Sequence, residues 1–235
     1  MSDPVVSILT PAYRAEAFPE ETVRSVIAQT FTAWELIIVN DGSPDGTGAL
    51  TERLANEDQR IRVFHRETLS GRPAIPRNLA LDHARGRYLA LLDADDLWHP
   101  EKLERQLAFV TRYDASFSCT AYGRMSEDGR RFGVVHVPLR ATRGRLLMTN
   151  TVGCLTVMID RERFPDLQFD ESSSLRGRED YGLWLKLLES ETYVYGLDEV
   201  LADYRVVNGS VSRNKWDMAK GQWRVFRQSA RLPVI

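Results

Sequence analysis

The chain has 235 residues, 43% of them apolar, and carries 31 lysines and arginines against 33 acids for a net charge of −2. Such a chain can bury one sizeable core, or one domain with a small lobe, and it lacks the basic excess of a general nucleic-acid binder. Residues 60–87 and 124–145 are nevertheless locally rich in arginine, which leaves an anionic ligand open.

"VVSILT" (5–10) is a short, continuously apolar, β-branched run and is read as a buried parallel strand. Val23, Val26 and Ile27 give helical spacing within "PEETVRSVIAQT". "ELIIVN" (35–40) is a second buried strand. It runs into "DGSPDGT", where Ser43 is expected to cap a helix, with Pro44 at its first position and Asp45 favoured by its dipole. "RIRVFHR" (60–66) is a third strand. "AIPRNLALDHARG" reads as a helix with Pro76 near its start and Gly86 at its end. "RYLALLD" (87–93) is the fourth strand, and "PEKLERQLAFVTRY" (100–113) is a helix.

Strand–helix alternation of this kind implies a doubly wound α/β half with a mostly parallel sheet, in which ligands bind beyond the carboxyl ends of the strands. After residue 114 the pattern becomes mixed. "ASFSCTAYGRM" is strand-like, and a hairpin is expected around Asp128-Gly129. "GCLTVMID" is another apolar strand, "REDYGLWLKLLES" is a helix, and "TYVYG" and "EVLADYRV" are two further strands. A closing amphipathic helix (214–235) carries Trp216, Trp223, Val225 and Phe226. It is expected to pack on the core or a second copy, with a membrane-surface position as the alternative. No Pro/Gly/Ser-rich linker separates the halves, so a single continuous domain is expected.

Cys119 and Cys154 lack metal-ligand spacing and are read as reduced core residues, and the four histidines form no zinc pattern. No basic n-region precedes an apolar stretch in "MSDPVVSILTPAY", and no apolar run approaches ~18 residues. Neither a signal peptide nor a bilayer-spanning helix is therefore expected.

The most informative stretch is "YLALLDADDLWHP" (88–100), where an apolar strand ends in Asp93, Asp95 and Asp96. Neighbouring carboxylates repel. A solvated acidic loop ahead of a helix is one explanation, and a divalent-metal site that cancels the repulsion is the other. Neither a "GxxxxGK[ST]" nor a "GxGxxG" turn is present, so bound phosphates would have to be held by metal and side chains.

Three segments in order carry a resemblance: "VSILTPAYRAEAFPEETVRSVIAQTFTAWELIIVNDGSPDGT", "GRPAIPRNLALDHARGRYLALLDADDLWHPEKLERQL" and "REDYGLWLKLL". Over roughly residues 4–206 the chain resembles family 2 glycosyltransferases of the GT-A fold, of the bacterial branch that builds surface polysaccharide and lipopolysaccharide. The resemblance implies that Pro11, Ala12 and Tyr13 lie against the nucleotide base and ribose, and that Asp41 hydrogen-bonds the base. Asp93 and Asp95 match the DxD motif that binds Mn²⁺ or Mg²⁺ and the donor diphosphate, with Asp95 the better candidate for direct coordination and Asp96 a buttress. Arg77 and Asn78 match an "ARN" element near the donor, with Pro76 in place of its first residue. A surface arginine and a local hydrogen bond explain that pair equally well. Asp180 matches the general base, although an acid in the first turn of a helix is also favoured by the dipole alone.

One departure stands out. Relatives carry "YR.H" late in the chain, whereas "YRVVNGSVS" has Val207 where the histidine falls. Tyr204, Arg205, Ser210 and Ser212 are kept, which leaves Arg205 or Ser210 as a candidate phosphate contact, with a tail that closes over the site as the alternative. Trp98, Tyr122 and Trp184 are candidate linings of a sugar cleft, each of a type that more often packs in a core.

The implied activity is an inverting, metal-dependent transfer of sugar from a nucleoside diphosphate, expected to be UDP, to a glycan or lipid-linked acceptor. It is expected in the cytoplasm, with contact at the inner face of the plasma membrane. A sugar-phosphate nucleotidyltransferase and a non-catalytic nucleotide-sugar-binding protein are the alternatives.

Overall fold

A computed structural model describes residues 3–172 and 177–207. The first half alternates β1 (Val6–Ala12), α1 (Pro19–Ile27), β2 (Trp34–Asp41), α2 (Thr47–Glu57), β3 (Ile61–Arg66), α3 (Ala74–Asp82) and β4 (Tyr88–Leu91). A two-residue strand β5 (Leu97–Trp98) and α4 (Lys102–Tyr113) follow. The second half contains β6 (Phe117–Ser126), β7 (Arg131–Val135), β8 (Arg140–Ala141), α5 (Arg143–Met148), β9 (Met158–Asp160), α6 (Glu179–Ser190) and β10 (Val194–Val206).

The ten strands of the described residues form one sheet, ordered β3-β2-β1-β4-β9-β6-β10-β5, with β7 on β6 and β8 on β10. β3, β2, β1 and β4 are mutually parallel, β9 is antiparallel to both β4 and β6, and β6 is parallel to β10. β1 leads to β2 on one side and lies against β4 on the other, which makes the carboxyl ends of β1 and β4 the switch point of the sheet.

The continuous apolar runs arise because both faces of the sheet are covered. Ile8, Leu36, Ile38, Ala90 and Leu92 face α1, α2 and α4 through Val23, Val26, Leu54, Leu103 and Val110. Their strand neighbours Leu9, Ile37, Val39, Leu89 and Leu91 belong to the opposite core with α3 and α6, around Phe117, Tyr181, Trp184 and Leu185. A period of two with no polar face leaves no alternation to read in the sequence.

Several expectations are corrected. The helix after β2 starts at Thr47 with Gly46 as N-cap. Ser43 instead accepts the Arg14 backbone N–H at 3.2 Å, and Asp45 accepts from the N–H and hydroxyl of Thr47. Gly86 is not a helix C-cap, since α3 ends at Asp82. Its N–H donates to Ser7 Oγ at 2.8 Å, and a Cβ there would lie 2.7 Å from the Ser7 nitrogen, so close approach to β1 is what requires glycine. Only Met158–Asp160 of "GCLTVMID" is strand, because Cys154–Thr156 closes a 3₁₀ turn. "TYVYG" and "EVLADYRV" contribute to one strand, β10, whose register against β6 shifts between Leu197 and Val200 and again before Asp203. The hairpin forms as expected, with Gly129 at φ 84°. Both cysteines are free thiols, Cys119 buried and Cys154 half-buried. The expected closing helix, with Trp216, Trp223, Val225 and Phe226, lies outside the described residues, as do Ser210 and Ser212.

Candidate active site

Residues from the ends of β1, β2 and β4 meet in a cavity of about 620 Å³. Pro11, Ala12 and Tyr13 form one wall, Asp41 lies at the β2 end, and Asp93 and Asp95 lie at the β4 end. Gly42 (φ 67°) makes the turn after Asp41, where a Cβ would meet the backbone of Thr68 and Leu69 at 2.6 Å. That contact brings the 68–72 loop against Asp41. The Asp41 carboxylate accepts from Arg66 Nη1 at 2.6 Å and from the Ser70 hydroxyl at 2.5 Å.

A second cavity of about 400 Å³ adjoins the first and shares Pro73, Arg77 and Asp93 with it. Asp180, in the first turn of α6, lines this second space together with Tyr122, Asn150 and Tyr204. Its Oδ1 accepts the Tyr181 N–H at 2.7 Å. Burial raises its pKa above the ordinary aspartate value, opposed by the charge of Arg77 and by that hydrogen bond.

Arg77 stands between the two cavities. Its side chain is 6% exposed, and Nη2 donates to Asp93 Oδ1 at 2.6 Å. Burial favours the neutral form, but Asp93, followed by Asp180, outweighs it and holds the guanidinium charged. A groove of about 1400 Å³ elsewhere, around His99, Arg131 and Asp203, contains Trp98 but none of the other predicted site residues.

The acidic turn itself is held from β10. Asp96 is buried, and its Oδ1 accepts the Arg205 N–H at 2.8 Å, while Oδ2 has no partner among the described residues. Burial and then Asp95 and Asp93 push the Asp96 carboxyl well above its usual range. Burial, followed by the neighbouring Asp93, raises Asp95 to about 6. No other described residue hydrogen-bonds the Asp95 carboxylate, and it opens into the first cavity beside Asp93.

This donor set fits a hard divalent cation. It offers carboxylate oxygens whose mutual repulsion a cation removes, and two carboxylates plus substrate phosphates are a usual magnesium arrangement. No cluster of three or more His, Cys, Asp or Glu side chains suited to a metal occurs among the described residues. The remaining ligands would therefore be phosphate or water oxygens.

Other expected roles are not what the geometry places at the cavities. Asn78 lines neither of them: its Oδ1 accepts from Phe169 N–H at 2.9 Å, and its Nδ2 donates to Phe169 C=O and Glu171 Oε1. The Arg205 side chain donates to the carbonyls of Asp95 and Glu127 and to Glu21, so its donors are engaged in structure rather than pointed at a phosphate. Trp184 is fully buried and packs on Phe117, and Trp98 is buried with its Nε1 donating to Leu155 C=O. Of the three aromatic candidates only Tyr122 reaches the site. Val207 lines the first cavity with an apolar side chain.

The sequence reading missed Arg14, Phe18 and Arg72 in the first cavity and Asn150 and Arg178 in the second. Arg14 sits at a left-handed φ of 47°, which nothing in "PAYRAE" announces.

Residues 7–160 match the model of glycosyl transferase family 2. A Bacillus subtilis protein named for teichuronic acid biosynthesis, the glycosyltransferase TuaG, is 44% identical over 97% of this chain and 90% of its own length. The Escherichia coli UDP-Glc:alpha-D-GlcNAc-diphosphoundecaprenol beta-1,3-glucosyltransferase WfgD is 33% identical over the whole chain and 90% of its own. Among solved structures, S. aureus TarS 1–349 in complex with UDP-GlcNAc superposes with a TM-score of 0.77 at 23% identity. The superposition covers 96% of this chain but only 65% of that one. The mannosyltransferase PcManGT from Pyrobaculum calidifontis, in complex with GDP-Man and Mn²⁺, superposes with a TM-score of 0.76 at 18% identity, over all of this chain and 66% of its own. These two likenesses concern the fold.

Proposed function

The chain belongs to glycosyl transferase family 2 and is a glycosyltransferase of the GT-A fold, and from that premise we propose that it is an inverting, metal-dependent enzyme using a UDP-sugar. The acceptor is a hydroxyl on a glycan or lipid-linked saccharide. The observation that carries this reading is the pair of adjoining cavities: Asp93 and Asp95 line one, Asp180 lines the other, and Arg77 and Asp93 belong to both.

The nucleoside lies against Pro11, Ala12 and Tyr13, with Asp41 at the base. Asp93 and Asp95 hold Mn²⁺ or Mg²⁺, which when bound offsets the negative charge that gathers on a departing diphosphate. Arg77 fixes Asp93 through its 2.6 Å ion pair and adds positive charge at the junction of the cavities. The acceptor occupies the second cavity beside Tyr122 and Tyr204. Asp180 takes the acceptor proton on Oδ2, since Oδ1 is already engaged by the Tyr181 N–H. Attack from the Asp180 side, opposite the diphosphate, inverts the anomeric carbon.

The name of the relative WfgD supports a UDP-sugar and a lipid-linked acceptor, and the Mn²⁺ complex of PcManGT supports the cation. No helix of the described residues is long and apolar enough to cross a membrane. We place the enzyme in the cytoplasm, meeting its acceptor at the inner membrane face. Among the described residues, we assign those up to 113 to the donor half and those from 114 to the acceptor half.

The test is release of nucleoside diphosphate from a panel of UDP- and GDP-sugars, with and without Mn²⁺, in the presence of a diphosphoundecaprenol-linked saccharide. Metal-dependent UDP release with inverted product supports the reading. Pyrophosphate release from UTP and a sugar phosphate points to a nucleotidyltransferase.

A further inference from the structure

Residues of α3 and the loop before it converge on the segment 169–171. Asn78 is buried and grips Phe169 at both backbone groups, accepting from its N–H at 2.9 Å and donating to its carbonyl at 3.0 Å. The same Nδ2 donates to Glu171 Oε1 at 2.7 Å, and the Arg72 guanidinium donates to the Glu171 carbonyl. A side-chain amide here does what a neighbouring strand would do, and fixes one residue at two points.

The residue so fixed has two neighbours of consequence. Phe169 is 3% exposed and belongs to the apolar cluster that contains Tyr181 and Leu185 of α6, next to Asp180. The Arg77 guanidinium lies over its ring, 5.7 Å from the centroid. Among the described residues Arg77 makes a single side-chain hydrogen bond, to Asp93, and its buried Nε has no partner. One hydrogen bond leaves a guanidinium free to swing about that contact. A ring beneath it removes that freedom.

We propose that Phe169, pinned by Asn78, is a positioning residue that props the Arg77 guanidinium between Asp93 and Asp180. Asn78 then acts on catalysis through Phe169 and makes no contact with the donor. The proposal rests on the reading of Asp180 as base and Asp93 as a donor-side carboxylate.

Phe169→Leu keeps an apolar side chain and removes the ring face. Asn78→Asp keeps Oδ1 and removes the Nδ2 donors. For each folded variant, kcat and the donor KM are measured with the full chain, UDP affinity is measured by calorimetry, and folding is monitored by thermal melt. Both are expected to lower kcat about tenfold or more, since small misplacements at a reacting centre are costly, while UDP affinity measured in chelator stays within twofold. The double variant Phe169→Leu/Asp180→Asn is expected to be no slower than Asp180→Asn alone.

Unchanged kcat in folded Phe169→Leu, with only a lower melting point, overturns the proposal by making the clamp merely structural. UDP binding in chelator that is weakened in Asn78→Asp overturns it by making Asn78 a donor contact, and additive losses in the double variant overturn it by placing the effect elsewhere. Near-normal turnover of Asp180→Asn by itself sinks the base assignment instead, and the single Phe169→Leu variant still decides the clamp.

Discussion

The backbone N–H of Arg205 donates to Oδ1 of Asp96 at 2.8 Å, joining the end of β10 to the acidic turn across 109 positions of sequence. The Arg205 side chain extends the same junction to Asp95, Glu127 and Glu21. Arg205→Ala removes three hydrogen bonds from a buried guanidinium and is expected to destabilise the fold by about 2–4 kcal/mol. Denaturant unfolding reads this loss. Arg205→Lys should not rescue it, because one ammonium cannot reach three separated acceptors. A change below about 0.5 kcal/mol in Arg205→Ala would show that the turn is held by other means.

Asp180→Asn keeps the shape of the base and its contact with Tyr181 but cannot take a proton. Transfer is expected to fall by about 10²–10⁴-fold with UDP affinity unchanged. Single-turnover kinetics with saturating donor separate the two effects, and near-normal turnover would rule this residue out as base.

The raised pKa of Asp180 has a definite sign in the pH profile. The base works ionised, so kcat drops as pH falls through its pKa, and burial has moved that point upward. The acid limb of kcat is therefore expected above the ordinary aspartate value of about 3.9. An acid limb at or below that value, measured with donor saturating, contradicts the assignment.

Asp95→Ala removes the carboxylate that no other described side chain engages. UDP binding is expected to lose its dependence on Mn²⁺, with the residual affinity equal to that of the wild type in chelator. Calorimetry with and without Mn²⁺ measures this, and an intact metal response would exclude Asp95 as a ligand.

Lys102 is fully buried with Nζ over the Trp98 ring at 3.9 Å and no hydrogen-bond partner among the described residues. Burial lowers its pKa to about 7 from 10.5. Between these values the unfolded chain binds more protons than the folded one, so stability rises with pH from about 7 to 10.5. Lys102→Met should flatten that rise and stabilise the protein at neutral pH by about 2–4 kcal/mol. Urea unfolding at pH 7 and pH 10 tests both, and a Lys102→Met protein less stable at pH 7 would refute the account.

Much of this architecture was legible because the strands of the first half are buried on both faces, which writes them as unbroken runs such as "ELIIVN". The rule that ligands gather beyond strand ends points to the edge at which Tyr13, Asp41, Asp93 and Asp95 share a cavity. Tertiary contacts decided the rest. Gly86 looked like a helix end because its real constraint, the Ser7 backbone, lies 79 residues away. Ser43 lost its capping role because the helix began four residues later, at Thr47. Asn78 and Arg205 are polar residues in motif-like surroundings, and only folding shows that their hydrogen bonds go to Phe169 and to the acidic turn. β10 read as two strands because its bulges interrupt the alternation that a straight strand would show.

The ion pair of Arg77 with Asp93 forms a party wall between the two cavities. If donor and acceptor fill the two cavities as proposed, a wall shared in this way couples their binding. Any factor by which a nucleotide sugar tightens or loosens the acceptor must be returned in full, because equilibrium coupling between two ligands is reciprocal.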